Sequence, residues 1–148
     1  MKLSTKGRYA TRAMLDLALN YGQEPIVLSA IARRQGVSEQ YLEQLIGPLK
    51  VAGLVRSIRG PKGGFMLAKS PSLIRISDII WAVEGSTALV ECVDDPRACS
   101  RADDCLTRDV WVKATRAINS VFDSTTLQDL MDKKAAEMML PAGSMCNI

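Results

Sequence analysis

Apolar residues return along this chain at two spacings, and the alternation between them lays out the elements. Tyr9, Ala10, Ala13, Met14, Leu17, Ala18 and Tyr21 recur at helical intervals, after a capping-type Ser4 and before Gly22. This predicts a first helix over 5–21. Pro25 interrupts, and a short second helix is predicted from Leu28 to Gln35. Gly36-Val37-Ser38 then reads as a tight turn, a core plug and a helix cap. The third helix places Leu42, Leu45, Ile46 and Leu49 on one face. Ser38, Gln40, Tyr41, Glu43 and Gln44 lie on or beside the other. Pro48 lacks an N–H and crowds the Gln44 carbonyl, so a bend or a shortened helix is expected there.

Period two follows. Leu54–Arg59 and Phe65–Ala68 are β-prone runs flanking Gly60-Pro61-Lys62-Gly63-Gly64, a hairpin with a basic, glycine-rich tip. A short helix is expected over 77–84, then an irregular stretch over 86–105. From Leu106 to Asp123 the helical period returns. Trp111, Ala114, Ile118 and Val121 fall at spacings of 3, 4 and 3, a coiled-coil-like seam that a small domain leaves for a partner. Thr125 with Gln128 resembles a capping box opening a last helix near 126–138. The fold class is thus mainly α with a small β-hairpin: a winged helix-turn-helix domain plus a long dimerisation helix. The expected division is a DNA-binding domain over 1–85, a cysteine-bearing loop over 86–105, dimerisation and C-terminal helices over 106–140, and a tail over 141–148.

Charge sharpens this picture. The 148 residues carry a net +3. Residues 1–70 hold 11 Lys and Arg against 4 Asp and Glu, a balance of +7; residues 71–148 hold 8 against 12, a balance of −4. A cationic half points to a polyanionic partner and speaks against uniform adhesion to a membrane. No apolar run approaches the roughly 18 residues of a membrane span. The cationic amino terminus lacks the apolar block of a secretory leader, so a cytoplasmic protein is expected.

The second helix of such a pair exposes its first turns to base edges in the major groove. Here those turns offer Ser38, Gln40, Tyr41, Glu43 and Gln44. Gln44 suits adenine and Glu43 suits cytosine. Arg59 and Lys62 at the hairpin tip suit phosphates or a narrow minor groove; Arg8 on the first helix is a further cationic candidate. The glycine run lacks the Gly-Lys-Ser/Thr ending of a nucleotide loop.

Histidine is absent, which excludes Ser-His and Cys-His nucleophilic catalysis and imidazole metal ligation. No enzyme and no small-molecule substrate are expected. Cysteines stand at 92, 99, 105 and 146, three of them in one acidic segment. The spacings fit no CxxC zinc knuckle. Three soft thiolates favour an iron–sulfur cluster or copper, while a thiol switch or inert cysteines remain open on spacing alone.

Leu3–Ala10, Tyr41-Leu42-Glu43-Gln44-Leu45, Gly53-Leu54-Val55, Arg59-Gly60-Pro61 and Cys105-Leu106-Thr107 together resemble the IscR-type regulators of the Rrf2 family, from residue 2 to about 130. The resemblance implies a dimeric winged-helix transcription factor that reads a palindromic operator and controls iron–sulfur assembly genes. It also implies a 2Fe–2S cluster on Cys92, Cys99 and Cys105, with Ser38, Tyr41, Glu43, Gln44 and Arg59 reading DNA. Two positions depart from the pattern. Arg108 stands where the family has a histidine ligand, and arginine stays protonated. Asp109 is the first substitute, ahead of Asp103, Asp104 and Glu91, with Cys146 dependent on a folded-back tail. Gln40 replaces a serine. The rival readings are a thiol- or sulfur-metabolite-responsive repressor without a cluster, and a cluster-bearing redox protein with no role on DNA.

Overall fold

The computed structural model describes residues 2–140; the tail 141–148, with Cys146, lies outside the described residues. The order is α1 (Thr5–Leu19), α2 (Leu28–Gln35), α3 (Glu39–Val51), β1 (Val55–Ile58), β2 (Gly64–Leu67) and a 3₁₀ turn (Pro71–Leu73). There follow α4 (Ile76–Glu84), α5 (Glu91–Asp94), a second 3₁₀ turn (Pro96–Ala98), α6 (Leu106–Ser124) and α7 (Leu127–Met139).

The centre of the molecule is α1. Its first turn is capped by Ser4, whose hydroxyl accepts from the Gly7 N–H, and by Glu84, whose carboxylate accepts from the same N–H at 2.9 Å. A carboxylate at a helix N-terminus complements the dipole as well as the orphan donor. Gly7 has to be small for this approach, because a Cβ there would lie 2.8 Å from the Glu84 carboxylate and 3.2 Å from Ile80. Ala10, Ala13, Met14 and Leu17 then bury against Leu42, Ile46 and Leu49 of α3, Ile79 and Ile80 of α4, and Leu127 of α7. The helix ends at Leu19, short of the expected Tyr21. The Asn20 side chain takes the Asp16 carbonyl at 2.9 Å, in place of another helical turn.

Asp16 is 6% exposed. Arg34 on α2 donates to both of its oxygens at 2.6 and 2.9 Å, and Gln35 adds a third bond at 3.0 Å. Burying a carboxylate costs several kcal/mol unless such donors surround it. This cluster locks α1 to α2, and it holds the Arg34 guanidinium in its charged form through the hydrogen bond to Asp16.

The hairpin is antiparallel, with Val55 opposite Leu67 and Ile58 opposite Gly64. Its root is pinned by a third strand-like residue. Ile26 donates to the Phe65 carbonyl at 2.9 Å, and Phe65 donates back at 2.8 Å. Leu54 N–H to the Leu49 carbonyl, 3.0 Å, ties the same hairpin to the end of α3.

Three expectations need correction. The shortening at Pro48 does not occur, and α3 runs on to Val51. Pro48 is exposed, so the Gln44 carbonyl it orphans faces water, and buried Leu49 anchors the last turn. The last helix is capped one residue later, with Thr126 and Asp129 exchanging bonds of 3.1 and 2.8 Å. Thr125 is occupied otherwise: its carbonyl accepts from Ile76 and its hydroxyl donates to Val121. The 86–105 stretch is not wholly irregular, since α5 and a 3₁₀ turn break it. Asp95 caps that turn by accepting from the Arg97 N–H.

Candidate DNA interface and cysteine segment

Gly36 adopts the left-handed conformation, φ 68°, that closes α2 and turns the chain into α3. Val37 packs on the core beneath the turn. Ser38 caps α3, accepting from the Tyr41 N–H at 3.1 Å and keeping its own O–H free to donate. Gln40, Glu43 and Gln44 project into solvent from the first turns. The α3 N-terminus therefore presents two amides, a hydroxyl, a carboxylate and the positive end of a helix dipole.

Tyr41 is placed differently from its predicted companions. Its ring meets Tyr9 edge-on, with centroids 6.1 Å apart, and its hydroxyl is enclosed without a hydrogen-bond partner. Arg12 stacks 5.2 Å over the Tyr9 ring while its Nε donates to Gln35 at 3.0 Å. A continuous chain of contacts thus runs from Asp16 through Gln35, Arg12 and Tyr9 to the recognition helix. Arg8 is exposed one turn before Arg12.

Arg59 and Lys62 both stand exposed at the hairpin tip. The turn closes through Gly63 N–H to the Gly60 carbonyl at 2.9 Å, and a Cβ on Gly63 would lie 2.2 Å from the Ile58 carbonyl oxygen. Only glycine fits, so the tip is narrow. Sequence reasoning passed over Arg56, which is exposed on β1 directly after buried Val55; a cation in the strand leading to the basic tip was its signal. Arg34 alone among the cations of the front half sits in an ion pair among the described residues. Arg12 is held by Tyr9 and Gln35, while Arg8, Arg56, Arg59 and Lys62 stand exposed outside any ion pair.

Cys92 lies half-buried in α5, Cys99 is exposed after the second 3₁₀ turn, and Cys105 is the half-buried N-cap of α6; all three are free thiols. The Thr107 hydroxyl, 3.2 Å away, holds the Cys105 thiol below its ordinary pKa, helped by the Arg108 N–H and the charge of Arg101. Thiolate character at a helix N-terminus makes a better ligand and a better nucleophile. Arg108 donates from Nε to the Cys92 carbonyl at 2.9 Å, tying α6 to α5. Asp109 pairs with Lys113 at 2.7 Å on the exposed side of α6. Among the described residues no three Cys, Asp or Glu side chains are gathered closely enough to hold a metal ion. The donor chemistry fits three positions of a cluster, and Arg108 leaves the fourth without a histidine.

The predicted dimer seam is split by the structure. Trp111 and Ile118 line a groove of about 730 Å³ with Ile80, Leu89, Val90 and Phe122 of the same chain. Ala114 and Val121 belong instead to an outward stripe with Leu106, Val110 and Ala117. Leu106 is 90% exposed, Val110 54% and Val121 62%.

Residues 3–133 match the Rrf2 family, described as an iron-dependent transcriptional regulator. The chain is 41% identical over 134 residues to the HTH-type transcriptional regulator IscR of Yersinia enterocolitica, covering 90% of this chain and 81% of that protein. A solved structure of T. potens IscR superposes with a TM-score of 0.77 at 43% identity, over 98% of this chain and 96% of that one. CymR, the global cysteine regulator of B. subtilis, superposes with a TM-score of 0.76 at the same 43%, over 90% and 98%. No helix among the described residues is long and apolar enough to cross a membrane.

The enclosed Tyr41 hydroxyl gives a direct check. Tyr41→Phe removes an unsatisfied buried group, so unfolding in urea should show equal or greater stability, by up to about 1 kcal/mol, with DNA affinity unchanged. Tyr41→Ala should cost roughly 2 kcal/mol through the lost ring contact. A large loss of affinity in the phenylalanine variant would place the hydroxyl on the DNA instead.

Proposed function

The chain belongs to the Rrf2 family of transcriptional regulators, and we propose that it reads a palindromic operator as a cytoplasmic homodimer carrying a 2Fe–2S sensor. Its targets in this reading are iron–sulfur assembly genes. The observation that carries the DNA half is the pairing of an exposed polar α3 N-terminus with a cationic wing hydrogen-bonded to the end of that same helix. Ser38, Gln40, Glu43 and Gln44 address bases, Tyr41 sets the helix from behind, and Arg59, Lys62 and Arg8 address the backbone or minor groove. Changing Arg59 to Ala should weaken operator binding about tenfold and reduce the slope of log K against log salt by about 1. A salt slope identical to the parent's would remove Arg59 from the interface.

Two-fold pairing is supported by the outward stripe of α6. Leu106, Val110, Ala114, Ala117 and Val121 follow spacings of 4, 4, 3 and 4, one face of a helix left to water. Each Leu or Val buried there contributes about 1.5–3 kcal/mol. Val121→Glu should shift the sedimenting species from dimer to monomer at micromolar concentration; an unchanged dimer would move the interface elsewhere, to the Trp111 and Ile118 side first.

The sensor reading rests on three free thiols in one segment and on the iron-dependent description of the family. Cys92, Cys99 and Cys105 would hold the cluster, with Asp109 the first candidate for the fourth position. Its exposed bond to Lys113 holds it by no more than about 1 kcal/mol. When bound, such a cluster supplies a one-electron centre whose presence follows iron supply. The protein's own part is mechanical: Arg108 couples Cys92 to α6, so the conformation of the cysteine segment is felt by the helix that carries the outward stripe. Regulation follows only if the two arrangements differ in operator affinity.

A second reading has its own support. Arg108 fills the ligand place, and the Thr107 hydroxyl draws the Cys105 thiol below its ordinary pKa, as suits a thiol-responsive repressor without a cluster. Protein purified without air decides between them. A visible chromophore with iron and sulfide near two per chain is expected. Colourless, iron-free protein whose operator affinity follows thiol oxidation selects the second reading.

A further inference from the structure

The polar side of α6 opens onto a second feature, remote from the cysteines. Arg116, Asn119, Ser120 and Asp123 recur at i, i+3, i+4 and i+7 on one face, and with Ser124 and Arg75 they line an open groove of about 490 Å³. Arg75 enters from the start of α4. Backbone bonds fix it there: it bridges Thr126, and the neighbouring Ile76 N–H donates to the Thr125 carbonyl at 2.9 Å. The two walls of the groove are therefore held together by main chain, not by chance proximity of side chains.

The charges in this groove are unspent. The salt bridges among the described residues are Asp16–Arg34, Asp95–Arg97 and Asp109–Lys113, so Arg75, Arg116 and Asp123 share one groove and pair with nothing. A site for a simple anion gains nothing from an aspartate, which repels the ligand. Two guanidiniums and one carboxylate, unpaired along one groove, complement a molecule bearing both signs. Of the neutral groups, Asn119 uses its carbonyl to accept from the Thr87 hydroxyl, leaving its amide N–H groups to donate. Ser124 donates to the Val121 carbonyl, leaving its lone pairs, and the Ser120 hydroxyl makes no bond to the protein.

We propose that the groove between α4 and α6 binds a small zwitterion of the amino-acid class, its carboxylate on Arg75 and Arg116 and its ammonium on Asp123. The groove is open and its lining is polar, of a length that a free amino acid with a short polar side chain can span. α4 packs on both α1 and α3, while α6 carries the outward apolar stripe. A ligand bridging α4 and α6 thus joins the DNA-reading unit to the helix proposed for pairing. This proposal is independent of the cysteine segment, which meets α6 at its opposite end.

The test is a titration of the ¹⁵N-labelled full-length dimer with each common amino acid, alongside acetate, ethylamine and inorganic phosphate, read as amide shifts. At least one amino acid should give saturable shifts at residues 75 and 116–124, with acetate, ethylamine and phosphate weaker by about tenfold or more. Arg116→Gln should abolish the shifts. Asp123→Asn should reverse the preference, so that phosphate or acetate binds as well as the amino acid. Any of three results overturns the proposal: no saturable shift with any amino acid at millimolar concentration, phosphate equal to the best amino acid in the parent protein, or unaltered binding in Arg116→Gln. The readout needs neither DNA nor iron, so its failure is separable from failure of the operator or cluster readings.

Discussion

A carboxylate removed from water has to be met by donors from somewhere, and Asp16 meets its donors on the neighbouring helix. Arg34 and Gln35 arrive together only when α2 lies at one angle to α1. That angle in turn decides where Gly36 begins its left-handed turn, hence where α3 starts and what it exposes. Gln35 also holds Arg12, Arg12 lies over Tyr9, and Tyr9 meets Tyr41. The buried charge thus orients the polar tip of α3 through a series of rigid contacts. An apolar pair at Asp16 and Arg34 could be as stable, yet would specify the angle less sharply.

What the sequence disclosed follows from how local the cause was. The boundaries of α2, the glycine turn, the Ser38 cap and the existence of the hairpin all arise within a few residues, and each was readable from Leu28 to Ala68. Pro48 does not shorten α3 because its penalty depends on whether the orphaned carbonyl is buried, which is a tertiary fact. The Thr126 cap was displaced by one residue because Thr125 had been taken by α4, a partner 49 positions earlier in the chain. The α6 seam reads two ways for the same reason. Trp111 and Ile118 have the right period for a partner helix, but period cannot tell a neighbouring copy from the chain's own α4 and 86–90 segment. Tyr41 looked like a base-reading residue by type; only the placement of Tyr9 assigns it to the inner side.

The cysteine segment shows a different limit. Chemistry there was legible, since three thiols and no histidine define the donor set without any structure. Identity to IscR and to CymR is the same 43% in the solved structures, so overall likeness does not choose between sensors. Arg108 is a fixed cation in this segment, and its bond to the Cys92 carbonyl makes it a tether between α6 and α5.

The clasp between Ile26 and Phe65 has a consequence of its own. Gly64 sits so close to that clasp that a Cβ would fall 2.5 Å from the Ile26 carbonyl, and the tip beyond it is closed by a turn that tolerates only Gly63. The wing is therefore a stiff prong clamped at its base rather than a flexible finger. Where such a prong meets DNA as proposed above, the duplex rather than the wing would widen, narrow or bend to receive it. Operators would then be sorted partly by how readily their sequence deforms, at base pairs the protein never touches.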